Sequence, residues 1–155
     1  MPERNGGIVM GRGRGGYTEK QVSYKDSGGH KVTDTGSIFV AERYIDQGYE
    51  VVFRQEHPNR KNHDLTIKTS DDSEIIKHVE VKRIESSNPS QMAKNLKKAF
   101  LQVGESGTVA VYLPHHSNCP SAVDFAQKAY AEASRKGWIR GPVEVWFNDK
   151  TKIDL

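Results

Sequence analysis

The chain has 155 residues, 35% of them hydrophobic, and a formal net charge of +3 at pH 7. This length suits one domain with a single core of ordinary size. The mildly basic balance permits an acidic partner such as nucleic acid but does not demand one. Cys119 is the only cysteine, which excludes an internal disulfide framework and a multi-cysteine zinc site. No signal peptide is evident and no hydrophobic run approaches about 18 residues, so we predict a soluble protein without a membrane partner.

Residues 1–35 contain few large hydrophobic side chains and many Gly, Lys, Arg and Ser residues. This composition predicts a mostly irregular segment, a flexible linker or N-terminal arm that precedes a folded domain over residues 36–155. The stretch "GRGRGGYTEK" is basic, and an Arg/Gly arm can bind phosphates. A plain linker is the alternative that composition favours.

Beyond residue 36 the hydrophobic pattern becomes periodic. "SIFVAERYIDQG" places Ile38, Ala41 and Ile45 at helical spacing, and Gly48 follows as a C-terminal signal. Three strands are predicted next, separated by the loop "HPNRKN" and the turn "SDDS". Their sequences are "YEVVFRQE", which alternates, then "DLTIKT", then "EIIKHVEVKRI".

The second half of the chain predicts two more helix–strand pairs. Pro89 can begin the helix "SQMAKNLKKAFLQVG", and Pro120 and Gly137 frame the helix of "CPSAVDFAQKAYAEASRKG". "GTVAVYLP" has the unbroken hydrophobic pattern of a strand covered on both faces, and "PVEVWF" is an alternating strand. The order helix, three strands, helix, strand, helix, strand predicts an α/β fold (α+β, with a mixed sheet) that has helices on both faces.

Charged residues lie inside the third predicted strand. The period of two places Glu80 and Lys82 on one face of it, and Asp64 and Thr66 on one face of the strand before it. If the hairpin register brings Asp64 beside Glu80, the two carboxylates repel each other, and a divalent cation with a preference for oxygen ligands removes that conflict. The alternative is an edge strand whose charged face is solvated.

Glu42 lies on the hydrophobic stripe of the first predicted helix. A carboxylate on the core side of a helix is costly unless a partner satisfies it. A metal-bound water or a basic neighbour would do so. The alternative is that Glu42 lies at the edge of the stripe and reaches solvent.

Asp64, fifteen intervening residues and the Glu80-Val-Lys82 motif, with a Glu-bearing helix before and a helix and strand after, resemble the PD-(D/E)XK nuclease superfamily. The α-β-β-β-α-β order over residues 37–113 matches its restriction-endonuclease-like core. The proline that often precedes the Asp is His63 here. The resemblance implies that Asp64 and Glu80 bind a divalent metal ion, Mg²⁺ first, with Mn²⁺ or Zn²⁺ as alternatives. It also implies Lys82 as the water-positioning base or charge stabiliser and Glu42 as an accessory glutamate of the metal shell.

A narrower resemblance covers "VEVKRIESSNPSQMAKNLKKAFLQVGESGTVAVYLP". This stretch is similar to the nuclease domains at the C-termini of contact-dependent inhibition (CdiA-type) and other bacterial polymorphic toxins. The matching positions after the Glu-x-Lys strand are Ser86, Ser87, Asn88, Lys98, Ala99 and Gln102. The resemblance implies that Lys98 and Gln102, with Ser86 and Asn88, contact the substrate phosphates.

Together these resemblances imply a metal-dependent endonuclease that hydrolyses phosphodiester bonds of tRNA or DNA. They also imply a toxin domain of a larger secreted or cell-surface protein, which acts in the cytoplasm of a target cell and is neutralised by a cognate immunity protein. Three alternatives stay open at this point. They are a phage or repair nuclease of the same fold, a non-catalytic nucleic-acid-binding module, and a metal-free ribonuclease toxin, whose His/Lys or His/Glu centre nothing in the sequence singles out.

Overall fold

A computed structural model of the chain describes residues 3–4, 8–9, 23–55, 64–104 and 106–155. Over these residues the fold is mixed α/β, with three α-helices and a mixed β-sheet, and the predicted order of the main helices and strands is confirmed. The chain divides into two compact units, residues 1–78 and 79–155. Most of the predicted N-terminal arm, and the predicted loop with His63, lie outside the described residues.

The described part of the first unit contains one helix and a small set of strands. In chain order these are β1 (Glu3–Arg4), β2 (Ile8–Val9), β3 (Ser23–Tyr24), α1 (Thr35–Asp46), β4 (Glu50–Phe53), β5 (Leu65–Lys68) and the start of β6 (Ile75–Arg83), which continues into the second unit. β1 pairs with β3 in parallel, whereas β2 and β5 both pair antiparallel with β4.

Helix α1 begins two residues before the predicted Ser37 because Asp34 caps it. The Asp34 carboxylate accepts hydrogen bonds from Gly36 N at 3.3 Å and from Ser37 Oγ at 2.6 Å. The bond from Gly36 N satisfies one of the backbone donors that a helix N-terminus leaves without intrahelical partners. After the helix, Gly48 adopts a φ of 94°, the left-handed conformation that glycine reaches at low cost.

Strand β4 differs from its predicted alternation because all four of its residues are buried. Glu50 is 4% exposed, and Ser73 Oγ donates to its carboxylate at 3.1 Å. The polar side chain is therefore compensated inside the fold rather than by water. The turn after β5 is closed by Thr69 N, which donates to Glu74 O at 2.9 Å.

The second unit contains the end of β6 and two helices with the strands that follow them. The elements are α2 (Pro89–Val103), β7 (Thr108–Leu113), α3 (Pro120–Arg135), β8 (Val143–Phe147) and β9 (Lys152–Asp154). β6, β7 and β8 are parallel neighbours in that order, and β9 pairs antiparallel with β8. The sequence did not indicate β9.

Helices α2 and α3 pack on each other, and α2 also packs on β7. One face of α2 is hydrophobic, and its Met92, Leu96 and Phe100 side chains are almost fully buried. α3 contributes small side chains, among them Ala126 and Ala129, so that the two helices approach closely. Among the residues that the structure describes, no helix has the length and hydrophobicity needed to span a membrane.

Candidate functional site

Glu80 is a buried carboxylate in the second unit. It lies on β6 between Val79 and Val81 and is 2% exposed. Lys82 Nζ lies 3.4 Å from Glu80 Oε2, and Lys82 itself is half-buried. Removing a carboxylate from water is costly, and a close ammonium group offsets part of that cost. The Glu80–Lys82 pair is therefore a charged pair held at the boundary of the core.

Gln102 from α2 holds the other side of the Lys82 ammonium group. Lys82 Nζ donates to Gln102 Oε1 at 2.5 Å. An ammonium group has three N–H donors; one of them is taken by Gln102, and Glu80 lies at ion-pair distance. Gln102, predicted to contact a phosphate, thus contacts Lys82, and its predicted phosphate contact stays a prediction.

Two further residues of the predicted phosphate site, Asn88 and Ser86, form hydrogen bonds at the start of α2. Asn88 Oδ1 accepts a hydrogen bond from Ser90 N at 2.9 Å, and Ser86 Oγ accepts one from Asn88 N at 3.0 Å. These are the bonds of a helix N-cap and the turn before it. Lys98 is exposed on the same helix. Contacts of these three residues with a substrate remain predictions.

Glu42 in the first unit is buried and has a hydroxyl partner. It is 6% exposed, and Tyr24 Oη donates to Glu42 Oε2 at 2.8 Å. The Tyr24 ring is itself buried, with its centroid 5.3 Å from that of Phe53. The alternative in which Glu42 reaches solvent is therefore wrong. Sequence reasoning missed Tyr24, whose only signal was one aromatic residue in a polar segment.

Asp64 stands immediately before β5 and is half-buried. Its backbone oxygen accepts a hydrogen bond from Arg54 N at 2.8 Å, which continues the β4–β5 ladder by one step. Asp64 lines a cavity of about 310 Å³ whose other walls come from residues 26–37 and 53–55. Glu42 is not among the described residues that line this cavity.

His78 lies on β6 next to the boundary of the first unit. Burial first, and the Arg54 guanidinium second, hold the pKa of His78 below its ordinary value of 6.5. Its Nδ1 lies 3.2 Å from Thr66 Oγ1 on the neighbouring strand. The imidazole is therefore neutral at pH 7 and forms a polar cross-strand pair with Thr66.

The chemistry of the candidate ligands fits a hard divalent cation. Asp64 and Glu80 offer carboxylate oxygens, which Mg²⁺ and Mn²⁺ prefer, whereas Zn²⁺ in proteins favours nitrogen and sulfur. The near-complete burial of Glu80 is the structural feature that a bound cation would compensate. In the described part of the chain, no group of three or more His, Cys, Asp or Glu side chains is arranged to bind a metal ion.

Comparison of the chain with protein-family models, with curated proteins and with solved structures finds no significant match. Similarity therefore assigns neither a family nor a function. The functional argument rests on the chemistry and placement of the residues described above.

Proposed function

We propose that this chain is a metal-dependent nuclease of the PD-(D/E)XK type that hydrolyses phosphodiester bonds of tRNA or DNA. The observation that carries the proposal is the Glu80–Lys82–Gln102 arrangement, with Nζ 3.4 Å from one partner and 2.5 Å from the other. A solvated edge strand would leave Glu80 in water, but Glu80 is 2% exposed. A buried charged pair is costly to maintain, and its link to Gln102 supports a functional role for this one.

The proposal requires Asp64 and Glu80 to bind one divalent ion. This depends on a hairpin register that brings Asp64 beside Glu80. The bound ion would supply positive charge to the phosphoryl oxygens and lower the pKa of the attacking water.

In this proposal Lys82 acts on the water or on the developing charge. Gln102 and Glu80 hold the Lys82 ammonium group in place, and an N–H that does not bind Gln102 would donate to the attacking water or to a phosphoryl oxygen. Gln102 is then a positioning residue. Lys98, Ser86 and Asn88 bind neighbouring phosphates, and Glu42 joins the metal shell as an accessory glutamate.

The resemblance to polymorphic toxins supports a biological context for this activity. In it the chain is the nuclease domain of a larger secreted or cell-surface protein, acts in the cytoplasm of a target cell, and meets a cognate immunity protein. Expression of the wild-type chain in bacteria should then be toxic, and Asp64→Ala should abolish the toxicity. Equal growth of cells that express the two proteins at equal levels would reject the toxin context.

The enzymatic proposal is tested by incubating the protein with plasmid DNA and with total tRNA, in Mg²⁺, Mn²⁺ or chelator. Glu80→Gln should lower cleavage at least about 100-fold, the usual effect of losing a group that stabilises the transition state. Glu144→Gln is the matched control. Glu144 is also a buried carboxylate, 3% exposed, with Lys152 Nζ 3.8 Å away. The Glu144→Gln protein should cut nucleic acid as fast as wild type.

Two outcomes would reject the proposal at different points. If neither polymer is cut with any of the metals by a folded protein, the chain is not this enzyme. If Glu80→Gln cuts as fast as Glu144→Gln, cleavage occurs but the site assignment is wrong.

A further inference from the structure

A turn held by hydrogen bonds forms one side of the cavity beside Asp64. Ser27 N donates to Phe53 O at 2.8 Å, and Gln55 N donates to Ser27 Oγ at 3.0 Å. These bonds fasten the turn to the end of β4 across 26 to 28 residues of sequence. The cavity of about 310 Å³ therefore has walls that are fixed by hydrogen bonds within the first unit.

Among the described residues of the cavity wall three carry carboxylates, and two of these carboxylates hydrogen-bond within the wall itself. Asp26 Oδ1 accepts hydrogen bonds from Gly28 N at 2.9 Å and from His30 N at 3.0 Å. The Asp34 carboxylate caps α1, as described above. Their negative charge is thus partly satisfied by donors of the chain itself.

The cationic side chains of the cavity wall differ from these carboxylates in their partners. Lys31 and Arg54 both line the cavity and are exposed. Within residues 23–55, 64–104 and 106–155, neither side chain has an ion-pair or hydrogen-bond partner that would occupy it. The ammonium and guanidinium groups are therefore available to an anion such as a phosphate.

We infer that this cavity binds a single unpaired nucleotide of the substrate strand, with its phosphate on Lys31 and Arg54. The inference rests on the proposed nuclease function and specifies its substrate. Ligand cavities in proteins start at about 300 Å³, so this one holds one small unit. A base inside a duplex cannot enter such a cavity. The substrate class is therefore nucleic acid with an unpaired nucleotide beside the cleavage point, as in tRNA loops and ends, rather than intact duplex DNA.

Binding is tested separately from cleavage, in chelator and with the Glu80→Gln protein. The probes are the four nucleoside 5′-monophosphates, the corresponding nucleosides and inorganic phosphate, each followed by ¹H–¹⁵N NMR. At least one monophosphate should shift the backbone amide signals of His30 and Gln55. It should bind more tightly than its nucleoside or phosphate alone.

Two variants test the cavity by different routes. Arg54→Ala should weaken monophosphate binding about tenfold or more through loss of a charge-assisted contact, and Arg54→Lys should restore part of it. Thr33→Trp keeps both charges but fills the cavity and should also abolish binding. Lys94→Ala, which removes an exposed charge from α2, is the control and should bind like the parent protein.

The inference is overturned if no monophosphate binds the folded protein, or if binding is unchanged in both Arg54→Ala and Thr33→Trp. In the active protein, cleavage of intact duplex as fast as of single strands would also overturn it. Monophosphate binding without cleavage of any polymer would instead reject the nuclease function and leave the binding site standing. The two failures are therefore distinguishable.

Discussion

Lys82 Nζ lies 2.5 Å from Gln102 Oε1, and this hydrogen bond ties the strand that carries Glu80 to helix α2. The ammonium group is thus held from two sides, by a carboxylate on its own strand and by an amide on the next helix. A charged group with a fixed direction can stabilise developing charge without reorganising during the reaction. This relationship is the reason that we place Lys82 at the centre of the proposed site.

Gln102→Leu should lower kcat about 10- to 100-fold with little change in KM, because it removes the partner that orients Lys82 but no substrate contact. Gln102→Glu keeps an acceptor oxygen and should retain more activity. Gln91→Leu, on an exposed position of the same helix, is the control. A rise in KM alone would indicate instead that Gln102 binds substrate directly, as the sequence suggested.

Tyr24→Phe should destabilise the protein by about 1–3 kcal/mol, because it removes a hydroxyl donor from the buried Glu42 carboxylate. The free energy of unfolding in urea measures this change. Tyr49→Phe is the control, since Tyr49 is half-buried and keeps its ring contact with Tyr44 after the substitution. Equal stabilities of the two variants would show that the Tyr24 hydroxyl contributes nothing.

Stability should fall as the pH is lowered through and below 6.5, partly because of His78. Its pKa is lower in the folded state than the ordinary 6.5, so the unfolded chain binds the extra proton first. The contribution of the neutral ring is fully present above pH 6.5 and is lost as the pH falls through the folded-state pKa. NMR titration of the ring should show this pKa rising in Arg54→Ala, and His78→Gln should flatten the stability profile near pH 6. A pKa at or above 6.5 in wild type would contradict the prediction.

Phe100→Ala should cost about 3–5 kcal/mol of stability, because Phe100 is 2% exposed in the core shared by α2, α3 and β7. Ala126→Leu should cost about 1–3 kcal/mol through overpacking of the same core. Leu101→Ala, at a 51% exposed position, should change little. Thermal and urea unfolding measure all three. A Phe100→Ala protein as stable as Leu101→Ala would contradict this packing.

The helices were predictable because their signals are local. Asn88 and Pro89 mark the start of α2, and the left-handed Gly137 follows α3 with a φ of 72°. The hydrophobic period indicates the body of α2, since it places Met92, Leu96 and Phe100 on one face of the helix. The two longest strand patterns, around Val81 and Val111, were equally clear.

The sequence could not predict what depends on distant partners. β9 has three residues, two of them charged, so no period marks it. Tyr24 and Glu42 are eighteen residues apart, and only the fold brings them together. The Lys82–Gln102 bond likewise depends on how α2 packs, so Gln102 could be placed near the site but not assigned a partner.

The central claim is that Asp64 and Glu80 bind one divalent ion. Electron paramagnetic resonance of Mn²⁺ titrated into the protein measures this directly, with wild type, Asp64→Asn, Glu80→Gln and the control Glu144→Gln. We predict one bound ion per chain in wild type and in the control, and a large loss of affinity in each of the two site variants. Unchanged Mn²⁺ binding in both Asp64→Asn and Glu80→Gln, or no specific binding in wild type, would contradict the account.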